Sequence, residues 1–204
     1  MLSDETVQNA KVGLTIYDLT TDSLLYDYCG KDLFRPASTQ KILTSITALQ
    51  TLGSQYTFKT EVYYKGNVKD SVLYGDLYVV GRFDPAFNSQ DMRLLVNDVA
   101  KYKLKRIEGR VYYDISMKDD ARIVEGWPRT SSRPILNPLL LNRRENFMPS
   151  FMNELSECGI AVDSGYESGV CPKGAVAMTS TDHTMEQILH RMLKRRDNLY
   201  AEAM

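Results

Sequence analysis

The stretch RPASTQKILTSITALQTLG, residues 35–53, decides the fold, because it predicts a sharp turn that leads into an amphipathic helix. Pro36 disfavours the helical conformation for Arg35, so we expect the chain to arrive extended and then to turn. Gly53 supplies a stop signal at the other end. Between them, apolar side chains recur at helical spacing: Ile42, Leu43, Ile46, Leu49 and Leu52. The pattern predicts a helix that begins at Ser38.

Ser38 and Lys41 stand three residues apart at the start of this predicted helix. Residues with that spacing share a helix face, so the hydroxyl and the amine can meet. Unpaired N–H groups at a helix start favour negative charge developing near Ser38. A serine becomes a strong nucleophile when an adjacent base takes its proton, which suits acyl transfer. The S-x-x-K string also arises about once by chance in a chain of this length, so taken alone it favours a plain helix start with an exposed lysine.

Composition narrows the class of protein. The 204 residues are 43% hydrophobic and 25% charged, with a net charge of −1, as in ordinary globular domains. The sequence has no basic stripe that would indicate nucleic-acid binding. It also has no run of 18 apolar residues that would predict a transmembrane segment. Residues 1–5 do not resemble a signal peptide, so the sequence indicates either a cytoplasmic protein or one whose export signal has been removed.

Cysteines and histidines are few. Cys29, Cys158 and Cys171 form no C-x-x-C pair, so we expect no zinc site, and only the last two are close enough to suggest a disulfide. His183 and His190 fall seven apart on one predicted helix, but no third ligand is in view. We therefore expect no metal site.

Hydrophobic periodicity predicts the order of elements along the chain. The predicted elements are a hairpin over 12–28, an antiparallel pair at 56–64 and 72–80, a helix over 90–103, a strand over 110–115, a helix over 146–158 and a helix opening at Thr181. Residues 116–142 are rich in proline and predict an irregular segment that Trp127 anchors to the core. Residues 165–174 indicate a loop or a short strand.

Four stretches together resemble one family. They are VGLTIYDLTTDSLLYDY (12–28), PASTQKILTSITALQTLG (36–53), LYGDLYVVGRFDPAF (73–87) and RRDNLYAEAM (195–204). In this order they resemble the class C low-molecular-mass penicillin-binding proteins, the serine-type D-alanyl-D-alanine carboxypeptidases and endopeptidases. The resemblance covers most of residues 10–115 and 180–204 and is weaker between them. These motifs favour the acyl-transfer interpretation over a chance string in a soluble α/β domain.

The resemblance implies an α/β (α+β) fold of the penicillin-binding-protein transpeptidase and β-lactamase-like kind. Such a fold has a mostly antiparallel sheet with helices on both faces and an inserted subdomain. We expect residues 1–60 to belong to the transpeptidase-like domain, 61–175 to the inserted subdomain and connecting segment, and 176–204 to the return into the first domain. The family's third motif, K-T-G, is absent, and the nearest string, Lys59-Thr60-Glu61, lacks the glycine. We therefore interpret the chain as the N-terminal part only, truncated before that motif.

The resemblance also assigns roles to residues. Ser38 matches the acylated nucleophile, Lys41 the proposed base, and Asn198 the asparagine of the second motif, whose amide can hold Lys41 and bind a substrate carbonyl. Arg196 stands where that motif has a serine, so a guanidinium that cannot relay a proton replaces a hydroxyl. It either lies at the substrate site or points to solvent. Asp84 and Pro85 of the 73–87 stretch are interpreted as turn residues.

The implied activity is hydrolysis of peptidoglycan stem peptides through an acyl-enzyme, with β-lactams as covalent inhibitors, in the periplasm or cell envelope. No metal or cofactor takes part. Arg196 and the missing K-T-G predict impaired activity, since oxyanion stabilisation is usually a large part of catalysis. They also leave open a catalytically inactive module that binds peptidoglycan or a protein partner.

Overall fold

The structure is a computed structural model that describes residue 7 and residues 9–119 and 135–204. It divides into two compact units, Met1–Thr39 and Gln40–Met204. In the first unit, β1 (Leu14–Asp18) and β2 (Ser23–Tyr28) form an antiparallel hairpin, which confirms the hairpin predicted over 12–28. The Asp18 carboxylate accepts hydrogen bonds from the backbone N–H groups of Thr20 and Thr21 and so shapes the turn between the strands.

A seven-stranded sheet runs through the described residues of the second unit. Its strands are β3 (Thr57–Lys69), β4 (Val72–Gly81), β5 (Arg106–Ile107), β6 (Val111–Asp114), β7 (Ala161–Val162), β8 (Tyr166–Ser168) and β9 (Val176–Thr184). The long strand β3 pairs antiparallel with β4 and with β9. The short pairs β4–β5, β4–β6, β5–β7 and β6–β8 are parallel. The sheet is therefore mixed rather than mostly antiparallel, because helical crossovers return the chain in the same direction.

Two helices cover one face of this sheet. They are α2 (Ser89–Ala100) and α3 (Phe147–Glu157), and both were predicted within two or three residues of their bounds. A capping box between Asn88 and Asp91 begins α2, and Pro149 lies in the first turn of α3, where its missing N–H costs nothing. Their fully buried side chains pack against Val62, Leu77 and Val79 of the sheet and form the larger core: Leu95, Val96, Val99, Phe151 and Leu155.

A second, smaller core joins three helices near the start of β3. These are α1 (Gln40–Thr51), α4 (Met185–Arg195) and α5 (Asn198–Glu202), which pack around Phe58. Helix α1 contributes its small side chains, Ser45 and Ala48, and leaves its apolar stripe outside. Ile42 and Leu43 are 54% and 56% exposed. The sequence pattern thus predicted an amphipathic helix, but the apolar face is not the one that the described residues cover.

The helix predicted to open at Thr181 is wrong in its start. Residues 176–184 form β9, in which Thr181 pairs with Thr60 and Thr184 with Thr57. Several of these residues are threonines, whose branched side chains suit a strand. A capping box between Thr184 and Gln187 then begins α4 at Met185. His183 consequently lies on a strand, and it does not share a helix with His190.

His183 fastens the loop after β4 to β9. Its Nδ1 lies 2.7 Å from Oδ2 of Asp84, whose side chain is only 1% exposed, and its Nε2 lies 3.9 Å from Oδ2 of Asp91. Asp84 also accepts a hydrogen bond from the backbone N–H of Ala86 at 3.0 Å, which shapes the turn at Pro85. The interpretation of Asp84 and Pro85 as turn residues is therefore confirmed, with His183 as an unforeseen partner.

Several other sequence-based expectations concern single segments. Within the predicted irregular segment 116–142, residues 120–134, including Trp127, lie outside the described residues. Cys29, Cys158 and Cys171 are free thiols, so the two later cysteines form no disulfide. In the described ranges, no helix has the length and apolarity to cross a membrane, and no group of three or more acidic, cysteine or histidine side chains could hold a metal ion.

The different burial of two neighbouring leucines on α2 predicts that their substitution changes the free energy of unfolding by different amounts. Leu95 is fully buried and Leu94 is 52% exposed. Leu95→Ala should lower the free energy of unfolding by about 2–5 kcal/mol, because it leaves a cavity in the larger core. Leu94→Ala on the same helix should change it by less than about 0.5 kcal/mol. Urea denaturation followed by circular dichroism measures both, and equal effects would contradict the packing described here.

The His183–Asp84 pair predicts a pH-dependent contribution to stability. The hydrogen bond that His183 donates to the Asp84 carboxylate raises the pKa of His183 above its ordinary value of 6.5. A histidine with a raised pKa in the folded state stabilises fully below its unfolded pKa, and that contribution is lost as pH rises through the folded value. The free energy of unfolding lost in His183→Gln should therefore be larger at pH 6 than at pH 9. The exposed His190→Gln serves as control, and a pH-independent difference for His183→Gln would contradict the prediction.

Candidate active site

Ser38 lies in a 3-10 turn at Ala37–Thr39, directly before α1. The turn is sharp, as predicted from Pro36, because Ala37 has a left-handed backbone with φ of 46°. The Thr39 N–H donates to the Pro36 carbonyl at 3.0 Å, and the Thr39 hydroxyl contacts the same oxygen. The α-helix therefore begins at Gln40, two residues after the predicted start, and Ser38 is exposed within the turn.

The boundary between the two compact units falls directly after Thr39. Ser38 is thus assigned to the first unit and Lys41 to the second. The contact expected from their spacing stays a prediction.

Lys41 occupies the first turn of α1 and meets Asn198. Its Nζ donates a hydrogen bond to Asn198 Oδ1 at 2.6 Å, although 157 positions separate the two residues in sequence. The bond is partly buried, and Ser45 donates to the Lys41 carbonyl at 2.7 Å one turn further along α1. The structure therefore brings together two of the residues that the resemblance selected. A charge-assisted bond of this length is among the stronger kinds in proteins.

Asn198 is the first residue of α5, and Asp197 before it is the N-cap. Asp197 is 8% exposed, and its backbone N–H donates to the Met192 carbonyl at the end of α4. Its two oxygens accept bonds from Arg143 at 2.6 and 2.9 Å, and Arg191 lies 3.4 Å away. The sequence offered no signal for the pairing of Asp197 with Arg143, which is 54 positions distant.

Arg196 ends α4 as its C-cap. It has a left-handed backbone, with φ of 54°, and it is exposed. Glycine is the residue most often found in this conformation at a helix end, because it has no Cβ that would be strained. Arg196 thus forms the turn between α4 and Asp197. Its role toward substrate stays a prediction.

Arg191, the second arginine near Asp197, also packs against an aromatic ring. The Arg191 guanidinium lies 5.0 Å from the centre of the Tyr200 ring on α5, a favourable cation–π arrangement. Burial raises the pKa of the Tyr200 phenol above its usual value of 10.0. Tyr200 therefore remains neutral across the physiological range and acts here as a packing residue.

The string Lys59-Thr60-Glu61 lies within β3, where Thr60 is buried and pairs with Gly81 and Thr181. Two neighbouring strands cover its backbone. The string therefore has a structural role in the sheet and does not substitute for a K-T-G motif.

The fold of the described residues is that of the penicillin-binding proteins. The chain belongs to the D-Ala-D-Ala carboxypeptidase 3 (S13) family, whose profile matches residues 1–138. It is 32% identical over 127 residues to a D-alanyl-D-alanine carboxypeptidase from Actinomadura sp. (strain R39). That alignment covers 62% of this chain and 24% of the relative.

Two solved structures of penicillin binding protein 4 from Haemophilus influenzae share the fold. One matches with a TM-score of 0.82 at 17% identity, and it covers 94% of this chain and 60% of the other. The second, in complex with a β-lactam, gives 0.73 at 18% identity and covers 96% of this chain and 60% of the other. These matches confirm the predicted fold class. The chain spans about three fifths of the solved relative.

The Lys41–Asn198 bond predicts a local stability effect. Asn198→Ala should lower the free energy of unfolding by about 1 kcal/mol, since it removes the acceptor of a partly buried ammonium. Asn198→Asp keeps an acceptor oxygen and should lose less. Asn153→Ala is the matched control, because Asn153 donates to Glu157 at 2.7 Å on an exposed helix face. Equal losses for Asn198→Ala and Asn153→Ala, measured by urea denaturation, would contradict the prediction.

Proposed function

We propose that the chain is part of a serine-type D-Ala-D-Ala carboxypeptidase or endopeptidase that acts on peptidoglycan stem peptides. Ser38 would attack the carbonyl of the terminal D-Ala–D-Ala bond while the amine of Lys41 takes the hydroxyl proton; the peptide C–N bond would break and the terminal D-Ala would leave with that proton on its nitrogen. Water would then hydrolyse the ester of the acyl-enzyme, which frees the shortened peptide and Ser38. The observation that carries this proposal is the 2.6 Å bond between Lys41 and Asn198, which joins two motif positions. Membership of the S13 family supports the reaction class.

Asn198 can serve two partners at once. Its Oδ1 accepts from Lys41, while its amide nitrogen carries two further donors. Those donors suit a substrate carbonyl. Arg196 is exposed two residues earlier, and its guanidinium suits an anionic group such as the terminal carboxylate of a stem peptide. We propose Asn198 and Arg196 as the substrate-binding residues of this part of the chain.

β-Lactams are proposed as covalent inhibitors that acylate Ser38. A structure of the Haemophilus influenzae relative in complex with a β-lactam supports this choice of probe. A peptidoglycan substrate would place the protein in the periplasm or at the cell envelope. The net charge of −1 gives no support to a nucleic-acid partner.

A catalytically inactive module that binds peptidoglycan is the second candidate. The observation in its favour is Arg196, which stands where the second motif has a hydroxyl. Removing one oxyanion donor typically lowers kcat by roughly 10²–10³-fold, and a whole strand contributes more than one donor. A Ser–Lys pair alone would not restore such a loss.

Penicillin labelling distinguishes these two functions. Because the oxyanion strand motif is absent, Ser38 of the 204-residue chain should be labelled by a fluorescent penicillin about 10²-fold or more slowly than a serine in a complete site. Arg196→Ser should raise the rate. Mass spectrometry locates the label, and Ser38→Ala is the control.

Rapid stoichiometric labelling of Ser38 in the parent chain would contradict the predicted impairment and the inactive-module candidate together. No label in the parent or in Arg196→Ser, combined with sedimentation of the chain with purified peptidoglycan, would favour the binding module over the enzyme.

A further inference from the structure

The charge cluster around Asp197 is larger than an N-cap requires. The Asp197 side chain is 6% exposed, yet it makes no capping bond to α5. Both of its oxygens are instead directed to Arg143, at 2.6 Å from Nη1 and 2.9 Å from Nη2. Two parallel bonds between a guanidinium and a carboxylate fix orientation as well as distance. The cluster therefore fixes the direction of the backbone at the residue before Asn198.

Arg143 is itself held in place. Arg143 and Asn142 both have left-handed backbones, with φ of 68° and 49°. Leu141 and Arg144 exchange two backbone hydrogen bonds of 3.0 Å across them. Asn142 adds a backbone bond to the Phe87 carbonyl at 3.1 Å and a side-chain bond to the Ser89 hydroxyl at 2.8 Å. Non-glycine residues keep such a conformation only where the surroundings determine it, so this loop presents the guanidinium from a fixed position.

We propose that Arg143 is a positioning residue for the acyl-transfer site: its bidentate pair with Asp197 holds Asn198 against Lys41. The inference rests on the proposed function. It assigns a role to a residue from the loop before α3 that none of the sequence motifs contains. A hydrogen bond of 2.6 Å is lost if one partner moves by about 1 Å, so the direction of the Asp197–Asn198 peptide decides whether Lys41 is held.

Arg191 has the lesser part in this arrangement. It makes one long contact to Asp197, at 3.4 Å, and its guanidinium lies over the Tyr200 ring. A single contact of that length restrains direction weakly. Arg143 is therefore the residue whose loss should release Asn198.

The test measures the protection of Lys41 directly in the full 204-residue chain. A limiting amount of an amine-acetylating reagent is applied, and mass spectrometry gives the ratio of modification at Lys41 to that at Lys65. Lys65 also bonds through Nζ, to the Gly174 carbonyl at 3.2 Å, so it reports general loosening of the same unit. Arg143→Ala should raise the ratio roughly three- to ten-fold, as expected for the loss of one hydrogen bond. Asn198→Ala should raise it equally.

Conservative and matched variants separate positioning from general stability. Arg143→Lys should give an intermediate ratio, because an ammonium cannot form the bidentate pair. Arg106→Ala removes another bidentate pair, with Asp163 at 2.7–3.0 Å, and should leave the ratio unchanged. An unchanged ratio in Arg143→Ala, with stability lowered as in Arg106→Ala, would overturn the proposal.

If Arg143→Ala does not fold, Arg143→Lys and Asp197→Asn decide the question, and parental ratios in both would overturn the proposal. Failure of the proposed function is seen separately, since acetylation needs no penicillin. A raised ratio without any label at Ser38 in the parent or in Arg196→Ser would support the contact between Arg143 and Asp197 as the restraint on Asn198 and would count against the enzymatic function. Labelling at Ser38 with an unchanged ratio would support the enzymatic function and overturn the positioning role of Arg143.

Discussion

The antiparallel pairing of β9 with β3 is the constraint on which the candidate site depends. Thr57 pairs with Thr184, so the chain leaves β9 beside the start of β3. Met185 follows at once and begins α4, whose buried residues pack with Phe58 of β3 and with Ala48 of α1. The turn after α4 then places Asn198, the first residue of α5, next to Lys41. A residue 157 positions away in sequence is thereby brought to 2.6 Å by backbone pairing and one small apolar core.

Two nearly buried carboxylates reinforce this constraint from either side. Asp84 joins the loop after β4 to His183 on β9, and Asp197 joins the loop before α3 to α5. Each is a buried charge that would be costly without its partner, so each selects one arrangement of the two segments it connects. Burial raises the pKa of Asp84, while the hydrogen bond from His183 partly opposes that rise. Removing either partner would leave a nearly buried carboxylate unpaired, which is strongly destabilising.

The sequence predicted the local elements better than the site's environment. Alternating and helical patterns identified the hairpin over 12–28, the β3–β4 pair and both helices of the larger core, because those patterns follow from burial on one face. The start of α4 was misplaced because the Thr-rich residues 179–184 lie beside a helical pattern, and only pairing with β3 decides for a strand. Two-residue strands such as Arg106–Ile107 are too short to show any period.

The motifs also selected Lys41 and Asn198, which the structure then brings together. Arg143 could not have been found in the same way. Its partner Asp197 is distant in sequence, and a single arginine in a loop has many explanations. Likewise, the apolar stripe of α1 predicted a helix but could not say which of its faces the described residues would cover. Pairings between distant segments belong to the tertiary structure, and hydrophobic periodicity reports only local structure.

Backbone strain lies close to the residues that the motifs selected. Ala37 directly precedes Ser38, Arg196 lies two residues before Asn198, and Arg143 holds Asp197; all three have positive φ. A left-handed conformation costs a non-glycine residue about 1–2 kcal/mol, and neither alanine nor arginine has the short polar side chain that can offset the cost. Asp22 and Asp70, by contrast, adopt it in turns between paired strands, where aspartate is tolerated. Strain that local chemistry does not favour persists where other contacts impose it, and such positions concentrate at functional sites. The left-handed conformations of Arg143 and Arg196, which lie near Asp197 in the second unit, are therefore imposed by tertiary contacts rather than by local chemistry.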